Sequence, residues 1–242
     1  MYIASINLRI HVASDLENAW PNRRDAIIKF IRQERFDIIG CQEASNDMVN
    51  DLMKGLSDEY HVIFQTRDDR GEGVPILYLK THEKIEDKTY WLSNTPEKLS
   101  MVDGSHFPRI VTMVRFNQLV FFNTHLDYAS DDVCLEQAKY LLQVIEKETK
   151  QEDKVIITGD FNVHPDSKTI TFMTQYLHHI FQSEDDNQLT YHGFSEKTEG
   201  KPIDYIFYSN DIDVSESTIH HHTTQPFLSD HYPISARINF KQ

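Results

Sequence analysis

Apolar runs in this chain repeatedly begin or end on residues that bind metals or move protons. Asn7 ends the first run. Glu43 follows Ile38-Ile39-Gly40-Cys41-Gln42, and His125 and Asp127 follow Val120-Phe121-Phe122-Asn123-Thr124. Asp160 and Asn162 close Val155-Ile156-Ile157-Thr158-Gly159, Asp204 opens Ile203–Tyr208, and Asp230 and His231 precede the last run. Any one of these is a turn or cap residue: an Asp in a tight turn bonds its own backbone. Their repetition, with carboxylates, carboxamides and imidazoles each time, points to one constellation on loops held by rigid strands.

The residue types suit a hard cation acting on a phosphate ester. Mg²⁺, or Mn²⁺ in its place, takes oxygen ligands and keeps several waters, so one or two carboxylates suffice. Glu43 is the main candidate ligand. Asn7 is neutral and ligates or positions without adding charge that repels phosphate. Asp160 can orient and deprotonate a water, and Asn162 can donate to a phosphate oxygen. His231 next to Asp230 follows the logic of an imidazole oriented by a carboxylate. No serine sits in a strand–turn–helix elbow, so a serine triad lacks support. His220-His221-His222 invites zinc, but consecutive strand residues alternate faces and do not converge on one ion. Cys41 and Cys134 fit no catalytic Cys/His pattern; two cysteines make no disulfide framework, and Cys41 reads as a buried free thiol.

These residues need strands to hold them, and strand-like and helix-like segments alternate throughout. Strands are expected over 2–7, 36–42, 60–64, 76–79, 84–92, 110–116, 119–124, 155–160, 203–208, 214–220 and 233–240. Helices are expected over 20–34, 46–56, 132–148 and 167–176, each with apolar residues at helical spacing. The pair 110–116 and 119–124, joined at Asn117-Gln118, reads as a hairpin. The expected fold is α/β: two mixed sheets face to face with helices outside, a four-layer α/β/β/α sandwich over residues 1–242 as a single domain. A doubly wound single sheet is the alternative.

At 242 residues, 39% hydrophobic and 26% charged, the composition is that of a soluble globular protein. No apolar stretch approaches the ~20 residues of a membrane span, and no secretory leader is visible, so cytoplasmic residence without membrane association is expected. With 24 basic and 38 acidic residues the net charge is −14. Such a surface disfavours a grip on extended duplex DNA. It leaves phosphate chemistry open, because a metal supplies local positive charge.

The motifs Ser5-Ile6-Asn7, Cys41-Gln42-Glu43, Asn123-Thr124-His125-Leu126-Asp127, Gly159-Asp160-Phe161-Asn162, Ile203-Asp204-Tyr205 and Ser229-Asp230-His231-Tyr232-Pro233 occur in that order. In this the chain resembles the endonuclease/exonuclease/phosphatase superfamily, which includes apurinic endonucleases, pancreatic-type deoxyribonuclease, neutral sphingomyelinases, inositol polyphosphate 5-phosphatases and deadenylases. The resemblance covers essentially the whole chain and is similar to a small bacterial branch of stand-alone domains. It implies the α/β/β/α sandwich and a metal-dependent phosphoesterase. It implies Glu43 as the main Mg²⁺ ligand, helped by Asn7 and Asp230, and Asp160 as general base with Asn162 beside it. It further implies His231 on the scissile phosphate, tuned by Asp204, with His125 and Arg109 contacting the phosphate. One departure is Val74-Pro75 where a small polar pair is expected, which points to an altered substrate side of the cleft. Lys and Arg are scattered; Arg109 and Arg23 are the expected positive charges beside the metal. Small or single-stranded nucleotides and sugar phosphates are therefore the favoured phosphate-ester substrates. A nuclease is the alternative activity, and a catalytically silent binding module is the alternative of another class. Leaving group and oligomeric state stay open.

Overall fold

The computed structural model describes residues 1–181 and 187–241. In chain order the elements are β1 (Tyr2–Asn7), α1 (Trp20–Glu34), β2 (Ile38–Gln42), β3 (Ala44–Ser45), α2 (Asn46–Leu56), β4 (Tyr60–Ile63), β5 (Glu72–Gly73), β6 (Ile76–Leu79) and β7 (Glu86–Trp91). There follow β8 (Ile110–Arg115), β9 (Leu119–His125), α3 (Asp131–Glu148), β10 (Lys154–Asp160), α4 (Lys168–Met173), β11 (His178–His179), β12 (Asp204–Tyr208), β13 (Ile212–Ile219) and β14 (Ile234–Phe240). A 3₁₀ segment over Ala13–Asn18 precedes α1. Serine side chains cap α2, α3 and α4: Ser45, Ser130 and Ser167 accept from Met48, Val133 and Ile170 N–H. Ser167 is thus the cap of α4, which stops at Met173, short of the expected Tyr176.

Two six-stranded sheets form, ordered β13-β14-β1-β2-β6-β4 and β11-β12-β10-β9-β8-β7. This excludes the doubly wound single sheet. Each sheet contains one parallel pair, β1–β2 and β9–β10, crossed over by α1 and α3 respectively. The expected hairpin is present as antiparallel β8–β9. Three buried clusters define four layers. One joins the first sheet to α1 and α2. One joins the second sheet to α3 and α4. The third lies between the sheets and draws on both, through Ile3, Ile38, Phe121 and Ile156 among others. Among the described residues no helix is long and apolar enough to cross a membrane.

The period-2 alternation of strands explains where the site falls. Stepping by two along the inter-sheet face, β1 runs Ile3, Ser5, Asn7; β9 runs Phe121, Asn123, His125; β10 runs Ile156, Thr158, Asp160. The same face thus turns from apolar to small polar to reactive toward the carboxyl ends of the parallel strands. The middle tier is a buried bonded network. Gln42 Nε2 donates to Ser5 Oγ at 3.1 Å and Asn123 Oδ1 at 2.7 Å, and Thr158 Oγ1 donates to Asn123 Oδ1 at 3.0 Å. The sheets are closest here. A Cβ at Gly40 would lie 2.0 Å from Thr158 Oγ1, so only glycine admits this approach.

Val74 and Pro75 are absent from the cleft lining, and Pro75 bonds into this inter-sheet tier. Both are buried, and the Pro75 carbonyl accepts from Cys41 N and Asn123 Nδ2. The expectation that they alter the substrate side is corrected: a proline without an N–H serves here through its C=O.

Candidate active site

Strand register brings the reactive residues to one level. On β10, Asp160 is paired with His125 of β9 on one side and Asp204 of β12 on the other. On the facing sheet, Asn7 ends β1 beside Gln42, and His231 stands just before β14, which runs antiparallel to β1. All therefore lie at the same end of the sandwich, at a cavity of about 570 Å³ that Glu43, His125, Asp160, Asn162, Asp230 and His231 help line, with Asn7 and Asp204 behind them.

Asp160 is the buried centre. Its Oδ1 accepts from Asn162 N–H at 2.9 Å and its Oδ2 from Asn7 Nδ2 at 3.0 Å. Oδ2 also lies 3.6 Å from His125 Nε2 and 3.8 Å from His231 Nε2. Burial, and then the charge of Asp204, push the Asp160 carboxyl up to about 7.

His231 pairs with Asp204, Nδ1 to Oδ2 at 2.8 Å, and not with its sequence neighbour Asp230. This corrects the Asp230–His231 pairing: adjacent residues in extended chain point to opposite sides. Burial pulls the His231 imidazole down, but the charge and hydrogen bond of Asp204 override it and hold the ring well above its ordinary 6.5. His125 goes the other way. Burial, with the charge of Arg109, holds it well below 6.5. Its Nε2 accepts from Asn162 Nδ2 at 3.0 Å, which leaves the ring proton on Nδ1, a buried atom without a partner among the described residues. Asn162 also donates to Leu126 O at 3.0 Å, so the amide hydrogens expected to reach phosphate are here spent on clamping His125.

Glu43 accepts from Asn7 Nδ2 at 3.1 Å through Oε1 and from Ile10 N–H at 3.0 Å through Oε2. One amide group thus sits between the carboxylates of Glu43 and Asp160, where electrostatics calls for positive charge. Ligand atoms of Glu43, His125 and Asp160 lie within 4.8 Å of one another, as do those of Asp160, Asp204 and His231. The carboxylates of Glu43 and Asp160, with nearby Asp230, form an oxygen-rich donor set that fits a hard divalent cation, while Asn7 turns its Nδ2 to the first two and its Oδ1 accepts from Arg9 N–H at 2.9 Å. Glu43 (φ 56°), Asn162 (φ 55°) and Arg9 (φ 52°) all take the left-handed conformation, which costs a non-glycine residue about 1 kcal/mol. Its concentration at the cleft marks backbone held for side-chain placement.

The cationic side chains differ from expectation. Arg109 lines the cleft, with Nε 3.3 Å from Asp127 Oδ2 and Nη1 buried without a partner among the described residues. Arg23 does not reach the cleft. It is fully buried, and its guanidinium donates to the carbonyls of Leu8, Arg9, Asn18 and Leu228. This corrects its reading as a charge for phosphate. Its place is taken by Arg9 and Arg67, both cleft-lining and both missed in the sequence. Arg9 had a signal, standing two residues after Asn7; Arg67 lies in a polar loop that gave none. His220 packs against Phe30 and Phe36, and His221 against Tyr232, so the histidine run is spent on packing.

The sequence profile of the Endonuclease/Exonuclease/phosphatase family matches residues 12–231. Similar solved structures include an endonuclease/exonuclease/phosphatase from Bacteroides vulgatus, 28% identical with a TM-score of 0.90, covering 99% of this chain and 98% of that one. Another is a mannosyl-6-phosphatase from Bacteroides thetaiotaomicron VPI-5482, 25% identical with a TM-score of 0.91, covering 99% and 100%. Among curated proteins, uncharacterized protein L388 of Acanthamoeba polyphaga mimivirus is 28% identical over 163 residues; the match spans 59% of this chain and 59% of that protein's length.

Proposed function

Because the chain belongs to the Endonuclease/Exonuclease/phosphatase family, whose members are metal-dependent phosphoesterases, we propose that it hydrolyses phosphate esters of small soluble compounds at Asp160, with Mg²⁺ as the cation. The observation that carries this reading is the convergence of Asn7, His125 and His231 on one buried carboxylate oxygen, with Glu43 alongside. Glu43, with Asp230, would hold the cation, and Asn7 would fix the Glu43 and Asp160 carboxylates beside it through its Nδ2. When bound, it supplies positive charge to phosphate oxygens and acidifies water.

Asp160, fixed through both oxygens and pushed up toward neutrality, takes a proton from the attacking water. His231, held charged by Asp204, presents Nε2–H to the phosphate. His125 stays neutral and is oriented by Asn162. Arg109 adds a planar set of donors for phosphate oxygens. We read residues 1–242 as one domain of the cytoplasm, a reading that the free, buried Cys41 and Cys134 support.

Small esters are favoured over long duplex DNA because the surface is acidic and the cleft carries few cations. The test is hydrolysis of p-nitrophenyl phosphate, a hexose phosphate, a nucleoside monophosphate, a short single strand and a long duplex, with Mg²⁺ and after chelation. The small esters should be cleaved only with metal. Efficient duplex cleavage with a steep loss on adding salt would replace this reading by the nuclease one.

A further inference from the structure

One wall of the cleft is not used by the hydrolytic arrangement. It consists of Arg67, Glu72, Phe107 and Tyr128. The hairpin bearing the first two is pinned at both ends: Arg67 N–H donates to Glu72 O at 2.7 Å, Thr66 bridges to Gly73, and Trp91 Nε1 donates to Arg67 O at 2.8 Å. The Arg67 guanidinium lies over the Phe107 ring, 4.4 Å from its centroid, with Nη2 2.6 Å from Glu72 Oε2. Arg67 is 5% exposed, and its Nε makes no hydrogen bond among the described residues, with Asp68 Oδ2 4.0 Å away. Tyr128 stands at the rim, 58% exposed, its ring 6.3 Å from that of Phe107.

Chemically this wall is a rigid donor set next to an acceptor set, bordered by aromatic faces. Hydroxyl groups both donate and accept, so neighbouring hydroxyls match a guanidinium beside a carboxylate. Aromatic faces suit the apolar C–H side of a ring. Charge points the same way. Each arginine lining the cleft already has a carboxylate: Arg9 has Asp15 at 2.9 Å, Arg67 has Glu72 at 2.6 Å and Arg109 has Asp127 at 3.3 Å. With Arg109 assigned to the scissile phosphate, a second phosphate would compete with Asp15 for Arg9 or with Glu72 for Arg67; Arg70, over Phe107 at 5.3 Å, is exposed and outside the cleft lining. A neutral polyhydroxylated body fits, and about 570 Å³ accommodates a small molecule.

We propose that Arg67, Glu72, Phe107 and Tyr128 form the leaving-group subsite, and that it reads vicinal hydroxyls of a sugar ring, making sugar monophosphates the preferred substrates. This rests on the hydrolytic reading above. The experiment compares kcat/KM for glucose 6-phosphate, mannose 6-phosphate, 2′-deoxy-AMP, which has no vicinal hydroxyls, and p-nitrophenyl phosphate in the full chain with Mg²⁺, for the unchanged protein, Glu72→Gln, Arg67→Lys and Tyr128→Ala. At least one hexose phosphate should exceed 2′-deoxy-AMP by tenfold or more. The substitutions should lower kcat/KM for that sugar at least tenfold more than for p-nitrophenyl phosphate, mainly through KM. Tyr128→Ala is at an exposed position and keeps the test readable if Glu72→Gln fails to fold. Equal losses on both esters, or a preference for 2′-deoxy-AMP, would overturn the subsite while leaving hydrolysis intact. If no ester is hydrolysed, the hydrolytic reading fails, and saturation-transfer NMR with the hexose phosphates decides the subsite. Ring protons should receive saturation from the unchanged protein and lose it in Tyr128→Ala; no transfer to the unchanged protein, or equal transfer to both, overturns the proposal.

Discussion

His231 donates from Nδ1 to Asp204 Oδ2 at 2.8 Å, across 27 residues of sequence, and this one bond turns the opposite nitrogen toward Asp160 Oδ2. Because Asp204 is paired in register with Asp160 on the neighbouring strand, the sheet itself sets the separation of the two carboxylates that His231 spans.

Asp204→Asn keeps the shape of this support and removes its charge. Asp204 is what holds His231 above its ordinary 6.5 against the effect of burial. The proton is therefore retained above pH 6.5 and lost as pH rises through the raised value. In the unchanged protein the alkaline fall of kcat should come above neutrality; in Asp204→Asn it should move to lower pH, with kcat reduced by about 10²–10⁴. A pH–rate profile whose alkaline limb does not move would assign that limb to another group.

Glu43→Gln should abolish measurable Mg²⁺ binding by calorimetry and reduce turnover below detection. Glu43 is only half-buried, so the circular dichroism spectrum and melting temperature should stay close to those of the unchanged chain. Retained activity with normal Mg²⁺ affinity would remove Glu43 from the metal set.

Asp160 and His231 face each other at 3.8 Å and serve one transition state. Asp160→Asn and His231→Ala should each lower kcat by about 10²–10⁴, and the double variant by little more than the worse single one. Losses that multiply would mean that the two act in separate steps.

His192 gives the fold an acid limb. Its ring stacks on Tyr232 at 4.0 Å and its Nδ1 donates to Ser195 O at 2.8 Å. Burial lowers it from 6.5 to about 4, with the charge of His231 acting in the same direction. The unfolded chain therefore binds this proton first on acidification. Stability attributable to His192 is complete above about pH 6.5 and declines as pH falls toward about 4. In His192→Phe the drop in melting temperature between pH 7 and pH 5 should shrink. An unchanged drop would sink this assignment.

Arg23 ties together the backbone after β1, the 3₁₀ segment and the loop before Asp230 through four carbonyls. Arg23→Met leaves those oxygens without a donor and should cost about 3 kcal/mol or more in urea unfolding. Arg23→Lys should recover only part of this, since a point charge cannot serve four acceptors in a plane. A neutral effect of Arg23→Met would mean that water replaces the guanidinium.

The sequence by itself determined the main strands and helices and the strand-end positions of most candidate site residues, but not Arg9 and Arg67, which line the cleft. Hydrophobic period acts over a few neighbours, so helices such as Trp20–Glu34 and Asn46–Leu56 were readable to the residue. The strand-end positions of Asn7, Glu43, His125, Asp160, Asp204 and His231 were readable for the same reason. Tertiary structure alone decided the partners. The Asn7–Asp160 bond joins residues 153 apart, and the choice of Asp204 over Asp230 for His231 depends on the register of β10 with β12. The fate of Arg23 and of Val74-Pro75 turned on which layer closes over them. The bonds that span the two sheets, Asn7–Asp160 among them, depend on the close approach of the sheets at Gly40 and Thr158, a distance that no local pattern of residues encodes.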